Sequence, residues 1–190
     1  MKNIYAYLMI LATVTLSAAC NNEWEDEQYE QYISFKSPIP AGGEGVTDIY
    51  VRYKEDGKVT YRLPIVVSGS TTNTLDREVH IAVDKDTLET LNIERFSIHR
   101  PGLWYTALEE DKYDFPKTVH ISAGSSVEQL NIDFNLQGID MLEKWVLPLT
   151  IVDDPSYNYK SHPRKNYAKA LLRVIPFNNY SGSYTSSAMK

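Results

Sequence analysis

Cysteine is almost absent from this 190-residue chain: Cys20 stands alone, so no disulfide can form within it. Basic charge is also short, with 19 Lys and Arg against 25 Asp and Glu, a net charge of -6 and pI ≈ 5.2. No basic patch offsets that balance, which argues against nucleic acid as a partner and against adsorption to anionic lipid. Long apolar runs are missing as well. The longest, residues 4–16, falls short of the roughly 20 residues that cross a bilayer. The chain has no G-x-S-x-G elbow, no H-E-x-x-H helix, no G-x-x-x-x-G-K-[ST] loop and no G-x-G-x-x-G. No cofactor or catalytic residue is therefore assigned.

What is present begins with an address. Lys2 precedes the apolar run, and Ser17, Ala18 and Ala19 lead into Cys20, the order of an export signal. The cysteine placed after small residues resembles the lipobox of bacterial lipoproteins, in which cleavage precedes the cysteine and its thiol is acylated. Ser17 stands where that motif usually has leucine. Each buried acyl methylene is worth about 0.8 kcal/mol, so several chains together hold a protein at a membrane. Residues 1–19 are thus read as signal peptide and Cys20 as the lipidation site. Residues 20–30 form an acidic tether containing Glu23, Glu25, Asp26 and Glu27. This stretch resembles the acidic export signal that sends lipoproteins of Bacteroidota to the outer face of the outer membrane. The expected location is the outer membrane, lipid-anchored and facing outward.

From there on, alternation dominates. Ile49, Val51 and Tyr53 share a face, and Lys54, Glu55, Asp56 and Gly57 supply a turn. Val59, Tyr61, Leu63, Ile65 and Val67 continue the pattern, with Pro64 predicting an edge strand or a bulge. Further strands are expected at 32–36, 79–83, 118–122, 130–136, 145–151 and 168–176, about eight in all. Asp84, Lys85, Asp86 and Thr87 suit the start of one short helix running past Leu91, and a single helical turn fits 107–112. Strands separated by turns with little helix predict an all-β, antiparallel Ig-like β-sandwich of seven to eight strands over residues 31–177. Residues 178–190 read as a linker or as the start of a missing second domain.

Three stretches resemble a family. They are 113–124 with its tyrosine–proline pair, strand and Ala-Gly turn, 145–153 with its Leu-Pro-Leu core, and the closing strand 170–176. They are similar to N-terminal β-sandwich modules, of unknown function, in surface lipoproteins of gut Bacteroidota. That resemblance implies a place in a polysaccharide-utilisation system, beside an outer-membrane glycan importer, and it implies no catalytic residues.

Chemistry-bearing residues are few. His80 and His120 fall on the polar faces of strands that could pair, but a metal site wants three or four ligands. No metal is assigned. Glycosidases oppose two carboxylates across a bond, and Glu109, Glu110, Asp111, Asp114, Asp140 and Glu143 read as solvated loop acids. Fourteen tyrosines and three tryptophans point instead to sugar stacking by flat amphipathic rings. Loop positions Trp104, Tyr105, Tyr157 and Tyr159 are the candidate contacts for a polysaccharide or oligosaccharide. Asp86, Thr87 and Leu88 match a short motif at which exported Bacteroidota proteins are O-glycosylated on the hydroxyl residue. The expected function is an accessory, non-enzymatic role in glycan capture. The competing reading is a structural spacer or adhesin-type subunit that binds no sugar.

Overall fold

Period-two alternation governs this chain because each strand has one apolar face to hide. The computed structural model describes residues 27–37 and 45–178. Cys20, the signal-like segment, most of the acidic tether and the tail from residue 179 lie outside the described residues. Among the described residues, ten strands occur in the order β1 (Ile33–Phe35), β2 (Thr47–Arg52), β3 (Lys58–Val67), β4 (Arg77–Val83), β5 (Thr106–Ala107), β6 (Tyr113–Asp114), β7 (Thr118–Ile121), β8 (Val127–Asn135), β9 (Trp145–Ile151) and β10 (Lys169–Phe177). Helix α1 (Lys85–Phe96) lies between β4 and β5, and α2 (Lys165–Ala168) is a single turn before β10.

Two sheets result, ordered β1-β3-β8-β6 and β2-β10-β9-β4-β7, with β5 also paired to β9. They form the expected Ig-like β-sandwich. Pairing is mostly antiparallel, but β10 runs parallel to β2 and β5 parallel to β9. The two strands beyond the expected eight, β5 and β6, are two residues long. Between the sheets, Leu63, Ile65, Leu130, Ile132 and Phe134 meet Ile49, Ile81, Ile121, Leu147, Leu149 and Leu172, all buried. Each such side chain contributes about 1.5–3 kcal/mol by leaving water.

At two places the structure departs from the local pattern. The turn at 54–57 forms, with the Gly57 N–H donating to Lys54 O at 2.9 Å, but it joins strands of different sheets. Gly57 has φ 66°, and a Cβ there would sit 2.6 Å from the Gln137 backbone nitrogen. Pro64 does not mark a bulge, since β3 and β8 keep unbroken register from Lys58↔Asn135 to Val66↔Val127. Nor is β3 wholly an edge. It is flanked by β1 only over Ile65, Val66 and Val67, and the Lys36 N–H reaches Pro64 O at 2.8 Å just past the end of β1. The nitrogen lacking a hydrogen thus falls where the neighbouring strand stops. Pro148 in β9 repeats the device opposite Asp84, where β4 ends and α1 begins.

Helix α1 is capped by Asp84, whose carboxylate accepts the Thr87 N–H at 3.0 Å. Leu88 packs with Val46, Tyr105, Val146 and Leu171 in a second, smaller cluster on the outer face of the larger sheet. Strand β9 is therefore covered on both faces, which is why Val146, Leu147, Pro148 and Leu149 are all buried.

The chain comes in at one end of the sandwich and leaves at the other. Ile33 donates to Lys160 O at 2.9 Å and accepts from His162 N–H at 2.9 Å, fixing the N-terminal segment beside the loop after β9. The preceding residues are also held: Glu27 takes bonds from Ser70 N–H (2.6 Å) and Oγ (2.7 Å), from Thr71, and from Gln31 Nε2 (2.9 Å). A Cβ on Gly69 would meet Gln31 Cγ at 2.7 Å, so the close approach needs glycine. Strand β10, antiparallel to β9, runs out level with the loop that precedes β9.

Leu147→Ala is expected to cost about 2–5 kcal/mol in urea unfolding, because the cavity lies between the sheets, while the outward Tyr50→Ala leaves the midpoint nearly unchanged. The bonds from Thr71, then Ser70, lower the Glu27 carboxyl to about 2 from 4.5. A depressed carboxyl stabilises above its unfolded value and loses that contribution as pH falls through the folded one. The Ser70 amide should therefore lose exchange protection between pH 4.5 and 2, and Glu27→Gln should remove that pH dependence.

Candidate functional site

The loop after β9 is built around hydrogen bonds that hold its aromatic rings in place. Asp154 accepts from Ser156 Oγ (2.6 Å) and N–H (2.8 Å), and these bonds hold its carboxyl below the usual range. Asp153 accepts from Ser161 N–H and Oγ at 3.4 and 3.3 Å, closing the loop on itself. Tyr159 is 4% exposed. Its hydroxyl accepts the His80 N–H and donates to Val152 O, each at 2.9 Å. Burial is the main reason its phenol is pushed up to about 12. Tyr159 is thus a peg that fastens the loop to β4 and β9.

Tyr157 is half-buried and lies against two rings. Its centroid is 4.4 Å from His80 at 18° and 5.3 Å from Tyr159 at 20°. Beside it, Asp153, Asp154, Pro155 and Lys160 complete a concavity of about 360 Å³. The Lys160 ammonium also pairs with Glu30. The arrangement offers an aromatic platform with carboxylate and ammonium groups around it.

Trp104 and Tyr105 sit elsewhere. Trp104 is half-buried, with Nε1 donating to Ser97 O at 3.1 Å. Tyr105 is 4% exposed and belongs to the cluster under α1. Its N–H donates to Asn92 Oδ1 (2.8 Å) and its carbonyl accepts from Asn92 Nδ2 (2.9 Å). This pair sits near the start of β9, since Thr106 is level with Trp145. Tyr159 bonds the residue after its other end. Seven residues of strand separate the two aromatic pairs by about 20 Å. They do not form a single site.

Thr87 is a cap partner on α1. Its hydroxyl donates to Asp84 Oδ2 (2.7 Å) and accepts from Lys169 Nζ (2.6 Å), while Lys169 also pairs with Asp84. A sugar on Oγ1 would remove the O–H that Asp84 accepts. Trp145 lies against the core with Nε1 donating to Asp140 O at 2.8 Å. His120 bonds Glu78 through Nδ1 at 2.9 Å, while His80 lies on the ring of Tyr157. Among the described residues, no group of three or more His, Cys, Asp or Glu side chains could hold a metal ion.

Sequence reasoning passed over two polar residues that organise these regions, Arg77 and Asn92. Both are buried. Arg77 donates from Nε to Asn73 Oδ1 (2.9 Å), from Nη1 to Asn158 O (2.8 Å) and from Nη2 to Gln31 Oε1 (2.6 Å). No spacing in the sequence marks either one, because their partners lie in other loops.

Fold and loop geometry together define an Ig-like β-sandwich module with ordered aromatic loops. The chain belongs to the family described as a domain of unknown function, DUF4973, whose model matches residues 24–155. A Bacteroides ovatus structure of unknown function is 74% identical, with TM-score 0.72 over 80% of this chain and 48% of its own. A multidomain Bacteroides ovatus protein including DUF1735 is 72% identical, with TM-score 0.70 over 80% and 47%. An auxiliary nutrient binding protein from Bacteroides thetaiotaomicron is 42% identical, with TM-score 0.67 over 77% and 50%. The chain spans about half the length of these solved relatives. No curated protein matches it significantly.

Tyr159→Phe keeps the ring but leaves the His80 N–H and Val152 carbonyl without their shared partner. It is expected to lower unfolding stability by about 1–2 kcal/mol, measured by urea titration.

Proposed function

We propose that this chain is a non-catalytic accessory module for glycan capture, held at the outer face of the outer membrane by lipid on Cys20. The observation that carries the glycan reading is the half-buried Tyr157 ring, stacked with His80 and Tyr159 and lining a concavity with Asp153, Asp154 and Lys160. A pyranose offers an apolar face to such a ring and hydroxyls to the polar groups beside it. Tyr159 holds the loop that carries this ring through its bonds to His80 and Val152. Trp104, next to the buried Tyr105 in sequence, is a second and separate contact about 20 Å away. The relative called an auxiliary nutrient binding protein supports the same reading. A neighbouring outer-membrane importer is the partner that would take up the captured glycan.

The spacer reading has its own support. The N-terminal segment and the end of β10 lie at opposite ends of a sandwich whose longest strand has ten residues. That geometry holds a tether and any later domain about 30 Å apart.

Residues 21–190 run through gels containing single plant or host polysaccharides test the first reading. Retardation by one glycan that is lost in Tyr157→Ala and retained in Tyr50→Ala is the expected outcome. Unchanged mobility of folded protein in every gel favours the spacer. Cys20→Ser should move the protein from the membrane fraction to the soluble fraction of cells.

A further inference from the structure

The end of the sandwich from which β10 leaves holds a small cavity of mixed polarity. It lies between the loop after β5, the turn after β8 and the start of β9, and its volume is about 190 Å³. Pockets for drug-sized ligands begin at roughly 300 Å³, so this one has room for a single ring and not for a chain. Leu108 and Ile139, both buried, form its apolar lining together with half-buried Trp145. Glu109, Asp140 and Lys112 stand around them.

These side chains are held in place without being used up. Trp145 Nε1 is spent on Asp140 O at 2.8 Å, which fixes the indole and leaves only its ring surface to offer a ligand. Asp140 Oδ1 accepts the Leu142 N–H at 2.9 Å, but Oδ2 and the Glu109 carboxylate have no partner among the described residues. The Lys112 side chain is 16% exposed, and its Nζ donates to Gln137 O at 3.0 Å with Asp111 Oδ2 3.5 Å away. An ammonium carries three hydrogens, so one is left for a ligand oxygen. Held this far from water, the cation gains by taking a further acceptor.

We propose that this cavity receives one uncharged pyranose residue at the end of a glycan chain. The proposal rests on the glycan reading above and adds to it a site separate from Tyr157. A pyranose has an apolar face for the Trp145 ring and a rim of hydroxyls that both donate and accept. The carboxylates of Glu109 and Asp140 accept from hydroxyls, and Lys112 supplies the donor. An apolar ligand of the same size would leave all three charged groups without bonds. An acidic sugar would face two carboxylates against one ammonium, with Asp111 beside it, and be repelled. Walls on three sides suit a chain end, whereas the concavity at Tyr157 is about 360 Å³.

Indole N–H signals in the NMR spectrum of isotope-labelled protein (residues 21–190) test this, because the three tryptophans Trp24, Trp104 and Trp145 report on separate places. Trp24→Phe and Trp104→Phe assign the signals. The probes are the methyl glycosides of glucose, galactose, mannose and N-acetylglucosamine, titrated to about 20 mM because ligands this small bind in the millimolar range. At least one should shift the Trp145 signal saturably and leave Trp24 in place, while the methyl glycoside of glucuronic acid shifts neither. Glu109→Gln and Lys112→Met should each weaken that binding at least about tenfold, the worth of a hydrogen bond to a charged group. Glu109 is exposed, so its variant decides the point if Lys112→Met does not fold. No saturable Trp145 shift with any of the four probes overturns the proposal, and so does an equal shift with the glucuronide. Gel retardation by a glycan without a Trp145 response leaves glycan capture standing and removes this site. A Trp145 response in protein that no gel retards keeps the site and removes polysaccharide capture.

Discussion

A buried guanidinium holds the N-terminal end of this sandwich together. Arg77 begins β4, is 6% exposed, and donates to one amide oxygen in the loop after β3, one in the N-terminal segment and one carbonyl in the loop after β9. All three of these acceptors are neutral dipoles. Burial lowers its pKa from the ordinary arginine value, and the cost of desolvation is offset only while all three segments keep their places. Asn73 extends the arrangement, donating to Ser122 O and Ser125 O in the turn after β7. The loop that carries Tyr157 is thus fixed through Asn158, one residue away. Tyr159 fastens the same loop from its other side.

Strand positions were legible in the sequence wherever one face is buried and the other wet. Ile49 and Val51, or Leu130, Ile132 and Phe134, announce themselves by alternation, and all of them are buried. The helix start at Asp84 was equally plain, because a cap is a local bond. Sheet membership was not legible. The turn at 54–57 has the composition of a hairpin, yet only the distant partners of β2 and β3 decide that it crosses between sheets. Parallel pairing of β2 with β10 joins residues more than a hundred positions apart and leaves no local trace.

The aromatic positions show the same division. Their composition is legible but their depth is not. Tyr105 and Tyr159 occupy stretches that look like loops, and both are buried, one by Asn92 and the cluster under α1, the other by bonds to β4 and β9. Tyr157 and Trp104 keep part of their rings accessible because a neighbouring tyrosine takes the interior place. In each pair a structural tyrosine sits one or two residues from a half-exposed ring. Loops ordered in this way present surface without spending conformational entropy on binding.

The proline in β3 has a mechanical consequence. Strand β1 is three residues long, and it lies against β3 only up to the position where Pro64 offers no N–H. Sliding β1 by two residues toward Pro64 would ask that nitrogen to donate, so movement in that direction is closed. A pull on the N-terminal segment, directed away from its end of the sandwich, loads the β1–β3 bonds together rather than one after another. Their geometry resists in shear, the direction in which a short ladder yields only when all its rungs give way at once.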